Sequence, residues 1–487
     1  MSEKTIKFGT DGFRGIIAKD FTTEQVEYIA HGIGQYLLQK KVLKNKKPVV
    51  VIGYDTRFLS DFFAKCAAEI LALNNIETLL SDNFIPTPVL SNTVIARNAD
   101  LGIMITASHN PYIYNGFKIK GPFGGSATMD IVNDIEAIVN KGLADDSFRK
   151  EIDILKKDIQ SGDAGYTGYG KADFIKEYWD QIERITDLDI LKKIDFDFLI
   201  DPMYGAAQGL YKSFFEKHNI GNVFEIHNIV NPSFGGINPE PIGSNLNEAT
   251  EFVIKNNLKI GICVDGDADR IGVIGEKGNF ISSHHIFAIV LYDLIKSGRR
   301  SGRVIKTVTT SSIIDRIAQR NNLDIFVTPV GFKYIGEEIM KQDVLMGGEE
   351  SGGLWTNGNI PERDGVLMGL KLLEIMVRNK KSLNEILEDI YKEYGYFVYG
   401  RNDYEIETNR RDDIKNQLIK SIPEAIEKEG VSEVVRIDGF KYILNDGSWL
   451  MIRPSGTEAV VRVYSESFDT DRLEQLLTIG REVVKGD

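Results

Sequence analysis

The 487-residue chain is too long for a single core and is expected to divide into three or four domains. Its 42% hydrophobic and 26% charged residues are those of a globular protein, and a net charge of −13 argues against nucleic acid, which calls for a basic face. No apolar run reaches the ~18 residues of a membrane span, and "MSEKTIKFGT" lacks a signal-peptide pattern. Two cysteines in apolar surroundings, Cys66 and Cys263, suggest core thiols in a reducing compartment rather than a disulfide framework. A cytoplasmic protein without a membrane or nucleic-acid partner is expected. An anionic small molecule is compatible with this charge where local cations and backbone N–H groups override the global field.

Along the chain, apolar runs of strand length alternate with segments of helical period. "PVVVIGYDTR" (48–57) leads into "FFAKCAAEILALNN", whose apolar positions line one helix face, and "LGIMITA" (101–107) follows "PVLSNTVIARNA". "DFLIDPMYGAAQGLYKSFFEKH" (197–218), "KIGICVDGDADR" (259–270) and "RVIKTVTTSSIIDRIAQRN" (303–321) read as further strand–turn–helix units. This alternation predicts α/β domains with mixed, mostly parallel sheets, and strands 101–107 and 260–264 are apolar on both faces, as helix-covered strands are. Near residue 395 the pattern changes. A polar amphipathic helix near 410–429 precedes alternating runs joined by a hairpin signal at Asn445, Asp446 and Gly447, and a helix near 470–485 closes the chain. This last part is expected to be an antiparallel α+β domain. Linker candidates are "QSGDAGYTGYG" (160–170), "GEKGNF" (275–280) and "YGYFVYGRND" (394–403). The expected division is three α/β domains, 1–162, 163–276 and 277–393, and a C-terminal α+β domain, 394–487.

"GIMITASHNP" (102–111) runs an apolar strand straight into a polar turn. It is either an ordinary strand end, since Ser, Asn and Pro favour turns, or Ser108 is a nucleophile presented at the lip of a sheet, facing solvent. "DGDADR" (265–270) follows the apolar strand "IGICV", so its carboxylates emerge at a strand's carboxyl end, where open α/β sheets place ligands. Asp265, Asp267 and Asp269, spaced by small residues, suit one hard cation such as Mg²⁺. A solvated acidic turn is the alternative, disfavoured by mutual repulsion of three carboxylates. "RPSGTE" (453–458) is either a tight turn or an anion nest, in which Ser455, Gly456 and Thr457 offer N–H and hydroxyl groups and Arg453 a planar fork. "GGEESGGLW" (347–355) puts Glu349 beside Ser351 in a glycine-rich loop, either a charged surface loop or a site for sugar hydroxyls. No GxxxxGK[ST] or HExxH occurs, which excludes P-loop and zincin chemistry. His284 and His285 are adjacent, cannot face one metal from a helix, and suit structural roles at a helix start.

These segments and others occur in an ordered set: "FGTDGFRG" (8–15), "GYDTR" (53–57), "PTP" (86–88), "TASHNP" (106–111), "NGFKI" (115–119), "DPMYGA" (201–206), "DGDADR", "TPVGFKY" (328–334), "GEESGG" (348–353) and "RPSGTE". In this the chain resembles the α-D-phosphohexomutases, in their phosphoglucomutase/phosphomannomutase branch, over essentially its whole length. The resemblance implies four domains around a central cleft and interconversion of hexose 1-phosphate and hexose 6-phosphate through a phosphoserine and a hexose 1,6-bisphosphate, which also primes the enzyme. It implies that Ser108 is phosphorylated and that Asp265, Asp267 and Asp269 bind Mg²⁺, with the Ser108 phosphate as a further ligand. Lys118 resembles the general acid/base, and His109, Arg14 and Arg270 match residues lining the reaction centre. Glu349, Ser351 and Lys333 match the substrate-binding loops, and Arg453, Ser455, Gly456, Thr457 and Arg462 those gripping the non-reacting phosphate. Two departures stand out. Ala268 replaces a common glycine, with its methyl expected to point outward, and Gly353 stands where mannose-tolerant and glucosamine branches often carry histidine. Glucose phosphate is therefore the preferred expectation, with mannose phosphate accepted, in a monomer or homodimer. The alternatives are a phosphoglucosamine mutase and, outside enzymes, an inactive phosphosugar-binding regulator.

Overall fold

Alternate residues of the strand Val49–Tyr54 face opposite sides of the first sheet, and each side meets a different core. Val50 and Ile52 join a cluster with Phe21, Ile33, Phe63 and Ile135 under the helices Thr23–Lys41, Ser60–Leu73 and Met129–Ala144. Val49 and Val51 join a second cluster that continues through Phe198, Ile262, Phe287 and Leu370. That second core is shared by three successive sheets, so the first three α/β units are fused rather than strung together. This computed structural model describes residues 5–9, 11–41, 46–161, 168–221, 223–456 and 459–486. No helix among the described residues is long and apolar enough to cross a membrane.

The first sheet runs Phe13–Ile16, Tyr114–Lys120, Leu101–Ile105, Val49–Tyr54, Glu77–Ser81, Gly170–Ala172. Its first two pairings are antiparallel and the rest parallel. The second runs Phe280–Ile281, Ile271–Gly275, Ile260–Val264, Phe198–Asp201, Val223–Glu225, with the same change from antiparallel to parallel. The third runs Ile325–Thr328, Arg303–Thr307, Val344–Gly348, Leu354–Thr356, antiparallel only at the last pair. The fourth, Val398–Glu405, Val460–Ser467, Trp449–Pro454, Phe440–Leu444, Val431–Val435, is wholly antiparallel. The expected fold class, three mixed α/β units and an antiparallel α+β unit, is the observed one. Both cysteines are buried and unpaired, and His285 shares a capping box with Ser282 at the start of Ser283–Lys296.

Several local expectations are corrected. Segment 259–270 is not strand–turn–helix: it leads into the buried strand Ile271–Gly275, which folds back antiparallel because "IGVIG" is apolar throughout. "GEKGNF" is not a linker but the turn of a hairpin, since Phe280–Ile281 pairs with Ile271–Gly275 beyond the expected boundary at 276. Gly170–Ala172 likewise adds an edge to the first sheet beyond 162. The helix near 410–429 is two, Thr408–Lys420 and Glu424–Glu427, separated by Pro423.

The fourth unit keeps its own core around Leu418, Tyr442, Val463 and Leu476. It docks on the third through a small cluster of Val308, Trp449, Met451 and Tyr464. Lys441 is buried at this seam, its Nζ 3.0 Å from the Val308 carbonyl and 3.7 Å from the Trp449 ring centroid. Burial first, then the charge of Lys306, lowers its pKa to about 7, against the pull of Glu466 and Asp315. An unfolded lysine titrates near 10.4, so between about pH 7 and 10 the unfolded chain binds the extra proton and stability rises with pH. Thermal melts at pH 7 and pH 9.5 should show a rise attributable to this residue of at least about 2 °C. Lys441→Met should remove that increment, and an unchanged slope in the variant would contradict it.

Candidate active site

All four loops singled out in the sequence are connections between antiparallel neighbours. The Ser108 loop joins Leu101–Ile105 to Tyr114–Lys120, and the Asp265–Asp269 loop joins Ile260–Val264 to Ile271–Gly275. The Glu349 loop joins Val344–Gly348 to Leu354–Thr356, and the Ser455 loop joins Trp449–Pro454 to Val460–Ser467.

The first two loops meet. Ser108 Oγ donates to Asp265 Oδ2 at 2.8 Å, and Ser108 is fully buried. The expectation of a solvent-facing serine at the strand lip is thus corrected: His109 and the acidic loop close over it. At Gly266 a side chain has no room, since a Cβ would lie 2.6 Å from the Ser108 carbonyl oxygen. Ser108 itself sits in the left-handed region at φ 54°, a strained conformation that its surroundings must enforce. Its N–H donates to Thr106 Oγ1 at 2.8 Å. Arg57 does the rest, donating to the carbonyls of Ser108, Asn110, Pro111 and Tyr114 at 2.6–3.1 Å. Asp55 holds Arg57 at 3.1 Å and accepts from Thr106 and Ser60. Both Asp55 and Arg57 lie in "GYDTR" but were not among the expected site residues.

The three aspartates are fully buried, with ligand oxygens within 4.8 Å of one another. Asp267 Oδ2 accepts from Thr87 Oγ1 at 2.6 Å and from Lys118 Nζ at 2.8 Å. Asp269 Oδ2 accepts from Arg363 Nη2 at 2.6 Å and Lys118 Nζ at 3.2 Å. Asp265 Oδ1 accepts from the Arg270 N–H at 3.1 Å. The other oxygens, Asp267 Oδ1 and Asp269 Oδ1, are buried with no hydrogen-bond partner. Two unpartnered anionic oxygens beside a third carboxylate fit a hard divalent cation such as Mg²⁺. Burial and then the like charges of Asp267 and Asp269 push the Asp265 carboxyl well above the usual range. Burial also acts to raise Asp267, but Lys118 outweighs it and holds that carboxyl low.

Lys118 is buried, and although burial disfavours its charge, Asp11, Asp267 and Asp269 outweigh that and keep it protonated. Asp11 Oδ2 lies 2.9 Å from Lys118 Nζ and 3.0 Å from Arg363 Nη2. His109 Nδ1 is 3.3 Å from Ser108 Oγ, and burial together with the surrounding Arg270, Arg14, Arg57 and Lys118 holds its imidazole neutral. Arg14 donates to Asn110 Oδ1, and Arg270 Nε lies 3.8 Å from Asp269 Oδ1. The Ala268 methyl does not point outward. Ala268 is fully buried in the shared core at φ 57°, because its carbonyl is held by the Gly365 N–H and the neighbouring Asp267 carbonyl by the Thr87 N–H.

Glu349 is buried, accepts from Ser351 Oγ, and lies 3.3 Å from Arg363 Nη1. The next residue, Glu350, accepts from Arg401 Nη1 at 3.0 Å, linking this loop to the fourth sheet. There Arg453 stands opposite Arg462, and Arg462 opposite Asp403, in one row across the sheet. Arg401 grips Asp403 with two hydrogen bonds of 2.7 Å, so it belongs to the same cationic patch although no motif marked it. Gly456 borders open space, but the Ser455 N–H is spent on the Val460 carbonyl at 2.9 Å rather than offered to an anion. Thr457 lies outside the described residues. Lys333 lines a small cavity with Asp11, its Nζ against Met129 Sδ at 3.0 Å. Besides Asp55 and Arg57, the residues missed are Asp11 and Thr87, which lie inside quoted motifs, and Arg363 and Arg401, which do not.

Two loops meeting at a serine and an oxygen-lined cation pocket, with a third tied to them through Arg363, define on this fold a metal-assisted phosphoryl-transfer enzyme. Family models described as phosphoglucomutase/phosphomannomutase alpha/beta/alpha domains I, II and III match residues 5–145, 176–278 and 282–394, and the C-terminal domain model matches 407–479. A phosphoglucomutase/phosphomannomutase of Thermococcus kodakarensis is 29% identical, with 98% of this chain and 99% of the relative covered. A phosphoglucosamine mutase of Clostridium botulinum is also 29% identical, with 96% of each covered. A Thermus thermophilus crystal structure named as a phosphomannomutase superposes with a TM-score of 0.84 at 31% identity, over 99% of both chains. The chain belongs to the phosphoglucomutase/phosphomannomutase family.

The Asp55–Arg57 pair is fully enclosed, so removing the cation strands a buried carboxylate. Arg57→Met should therefore cost about 3–5 kcal/mol in denaturant unfolding. A loss below about 1 kcal/mol would show that the serine loop does not depend on this clamp.

Proposed function

We propose that the chain is a phosphohexomutase that interconverts hexose 1-phosphate and hexose 6-phosphate, with Ser108 carrying the phosphoryl group between them. The observation that supports this most is Ser108 Oγ at 2.8 Å from Asp265, beside two buried carboxylate oxygens with no partner. A sugar hydroxyl attacks the phosphorus on Ser108 in line, the P–Oγ bond breaks, the hydroxyl's proton ends on the released Ser108 Oγ by way of the neutral His109, and the bisphosphate so formed turns round. Its other phosphate then returns to Ser108. A hexose 1,6-bisphosphate primes an unphosphorylated chain by the same second step.

Asp265, Asp267 and Asp269, with the oxygen on Ser108, would hold Mg²⁺, which when bound neutralises charge on the transferring group. The strained backbone of Ser108, pinned by Arg57, keeps Oγ in one line of attack. His109 Nδ1 is close enough to exchange a proton with Oγ, and Lys118 acts as a donor and acid held charged by its carboxylates. Arg14 and Arg270 add positive charge around the phosphoryl group. Glu349 and Ser351 hold the 3- and 4-hydroxyls, and Arg453, Ser455, Gly456, Thr457 and Arg462, joined by Arg401, hold the phosphate that is not reacting. Lys333 serves the substrate side of the cleft beside Asp11.

Phosphopeptide mass spectrometry of purified protein should find phosphate on Ser108, lost on incubation with a hexose monophosphate. Ser108→Ala should abolish turnover while losing about 1–3 kcal/mol of stability, because Asp265 is left one donor short. Near-normal turnover in that variant would exclude the covalent route.

Glucose and mannose differ at C2, outside the 3- and 4-hydroxyl grip, so glucose 1-phosphate should be preferred without strong rejection of mannose 1-phosphate. Glu349→Gln should depress turnover of both by a similar factor, on the order of tenfold to a hundredfold. If it abolished one activity and spared the other, Glu349 would be reading C2. A clear preference for glucosamine 1-phosphate in the same assay would move the chain to the phosphoglucosamine mutases.

A further inference from the structure

Arg363 is buried and touches four carboxylates, that of its neighbour Glu362 at 3.7 Å and three from distant parts of the chain. Its Nη2 donates to Asp269 at 2.6 Å and to Asp11 at 3.0 Å, and its Nη1 to Glu349 at 3.3 Å. Its guanidinium carbon lies 5.6 Å from the centroid of the Phe332 ring. The backbone that carries it is fixed on both sides: the Arg363 N–H donates to Glu362, and Asp364 caps the helix Gly365–Asn379 through the Leu367 N–H at 2.8 Å. Glu362 is itself fully buried and paired with Lys120 of the first sheet.

The stem of Arg363 reaches these partners across Gly353. A Cβ at position 353 would lie 2.2 Å from Arg363 Cδ, 2.9 Å from its Cγ and 3.3 Å from Glu349 Cγ. Even the smallest side chain there would drive the arginine from its path. We propose that Arg363 is a positioning residue that locks the sugar-holding Glu349 to the cation-holding Asp269, and that Gly353 is the gap which lets it do so.

The chemistry follows from the geometry. One oxygen of Asp269 is fixed by Arg363 and Lys118, which leaves the other buried without a hydrogen bond. One oxygen of Glu349 faces the same guanidinium while Glu349 Oε2 is buried and unpartnered. A planar cation with several donors can hold both carboxylates at once, whereas an ammonium presents a single point of charge. Cation affinity and sugar-phosphate affinity are therefore coupled through one side chain. The inference rests on the mutase reading for what Glu349 holds, but not for what Asp269 holds.

The test combines Arg363→Ala, Arg363→Lys, Gly353→Ala and the double variant Gly353→Ala/Arg363→Ala. Mg²⁺ affinity is measured by isothermal titration calorimetry and steady-state kinetics are measured with glucose 1-phosphate. Arg363→Ala should weaken Mg²⁺ binding about tenfold and raise KM while lowering kcat. Gly353→Ala should reproduce that pattern although it removes no charge, and Arg363→Lys should recover only part of the Mg²⁺ affinity. The double variant should be no worse than Arg363→Ala alone, since the second change then has nothing left to displace. Wild-type Mg²⁺ affinity in Gly353→Ala, or losses that multiply in the double variant, would overturn the proposal. If Arg363→Ala fails to fold, Gly353→Ala and Arg363→Lys decide it by the same calorimetry. Absence of turnover in the wild type would defeat the mutase reading instead, and the calorimetric comparison would still judge Arg363.

Discussion

Three carboxylates buried on one short loop repel one another where water cannot screen them, and the surrounding structure is arranged against that repulsion. Each is held by a donor from elsewhere in the chain. Ser108 reaches Asp265 from the first sheet, Thr87 and Lys118 reach Asp267, and Arg363 reaches Asp269 from the start of a helix in the third unit. These contacts use one oxygen of Asp267 and one of Asp269 and leave the second of each without a hydrogen bond. The protein thus lowers the cost of gathering the charges without cancelling them, which is what a cation site requires.

The same contacts assemble the units. An apolar core runs through the first three sheets and supplies rigidity, but it does not itself fix where the loops point. That is set by a repeated device, a central strand followed by an antiparallel neighbour, whose tight connection projects functional groups from the end of the sheet. Serine, aspartates and glutamate each occupy one such connection, and Arg453 and Arg462 flank the fourth on its two strands. The fourth unit, with a separate core and a small seam, is joined more lightly than the others. Its Arg401–Glu350 pair links the cationic patch directly to the loop proposed to hold the sugar.

Much of this was legible in the sequence because it is local. Continuous apolar strands, the Asn445-Asp446-Gly447 turn and the spacing of Asp265, Asp267 and Asp269 follow from residue type and neighbour. What was not legible depends on distant partners. Segment 259–270 reads as a strand–turn–helix unit, and only the antiparallel pairing of Ile271–Gly275 with Ile260–Val264 makes the acidic segment a hairpin. Ser108 was expected at an open edge, but the loop that buries it lies more than a hundred residues on. Ala268 looked free to point outward until its neighbours' hydrogen bonds turned it into the core. Arg363 and Arg401 stand in no conspicuous motif, and their importance comes from the carboxylates they reach, Asp11, Asp269 and Glu349 for one and Glu350 for the other.

A cation bound by the acidic cluster would relieve the repulsion among its carboxylates. Thermal unfolding of the wild-type chain as Mg²⁺ is titrated tests that most directly. Stability should rise with the logarithm of free Mg²⁺ above its Kd, reaching about 2.7 kcal/mol at a hundred times Kd, and Asp265→Asn should weaken the response. A melting temperature indifferent to Mg²⁺, or an equal rise in the variant, would contradict it.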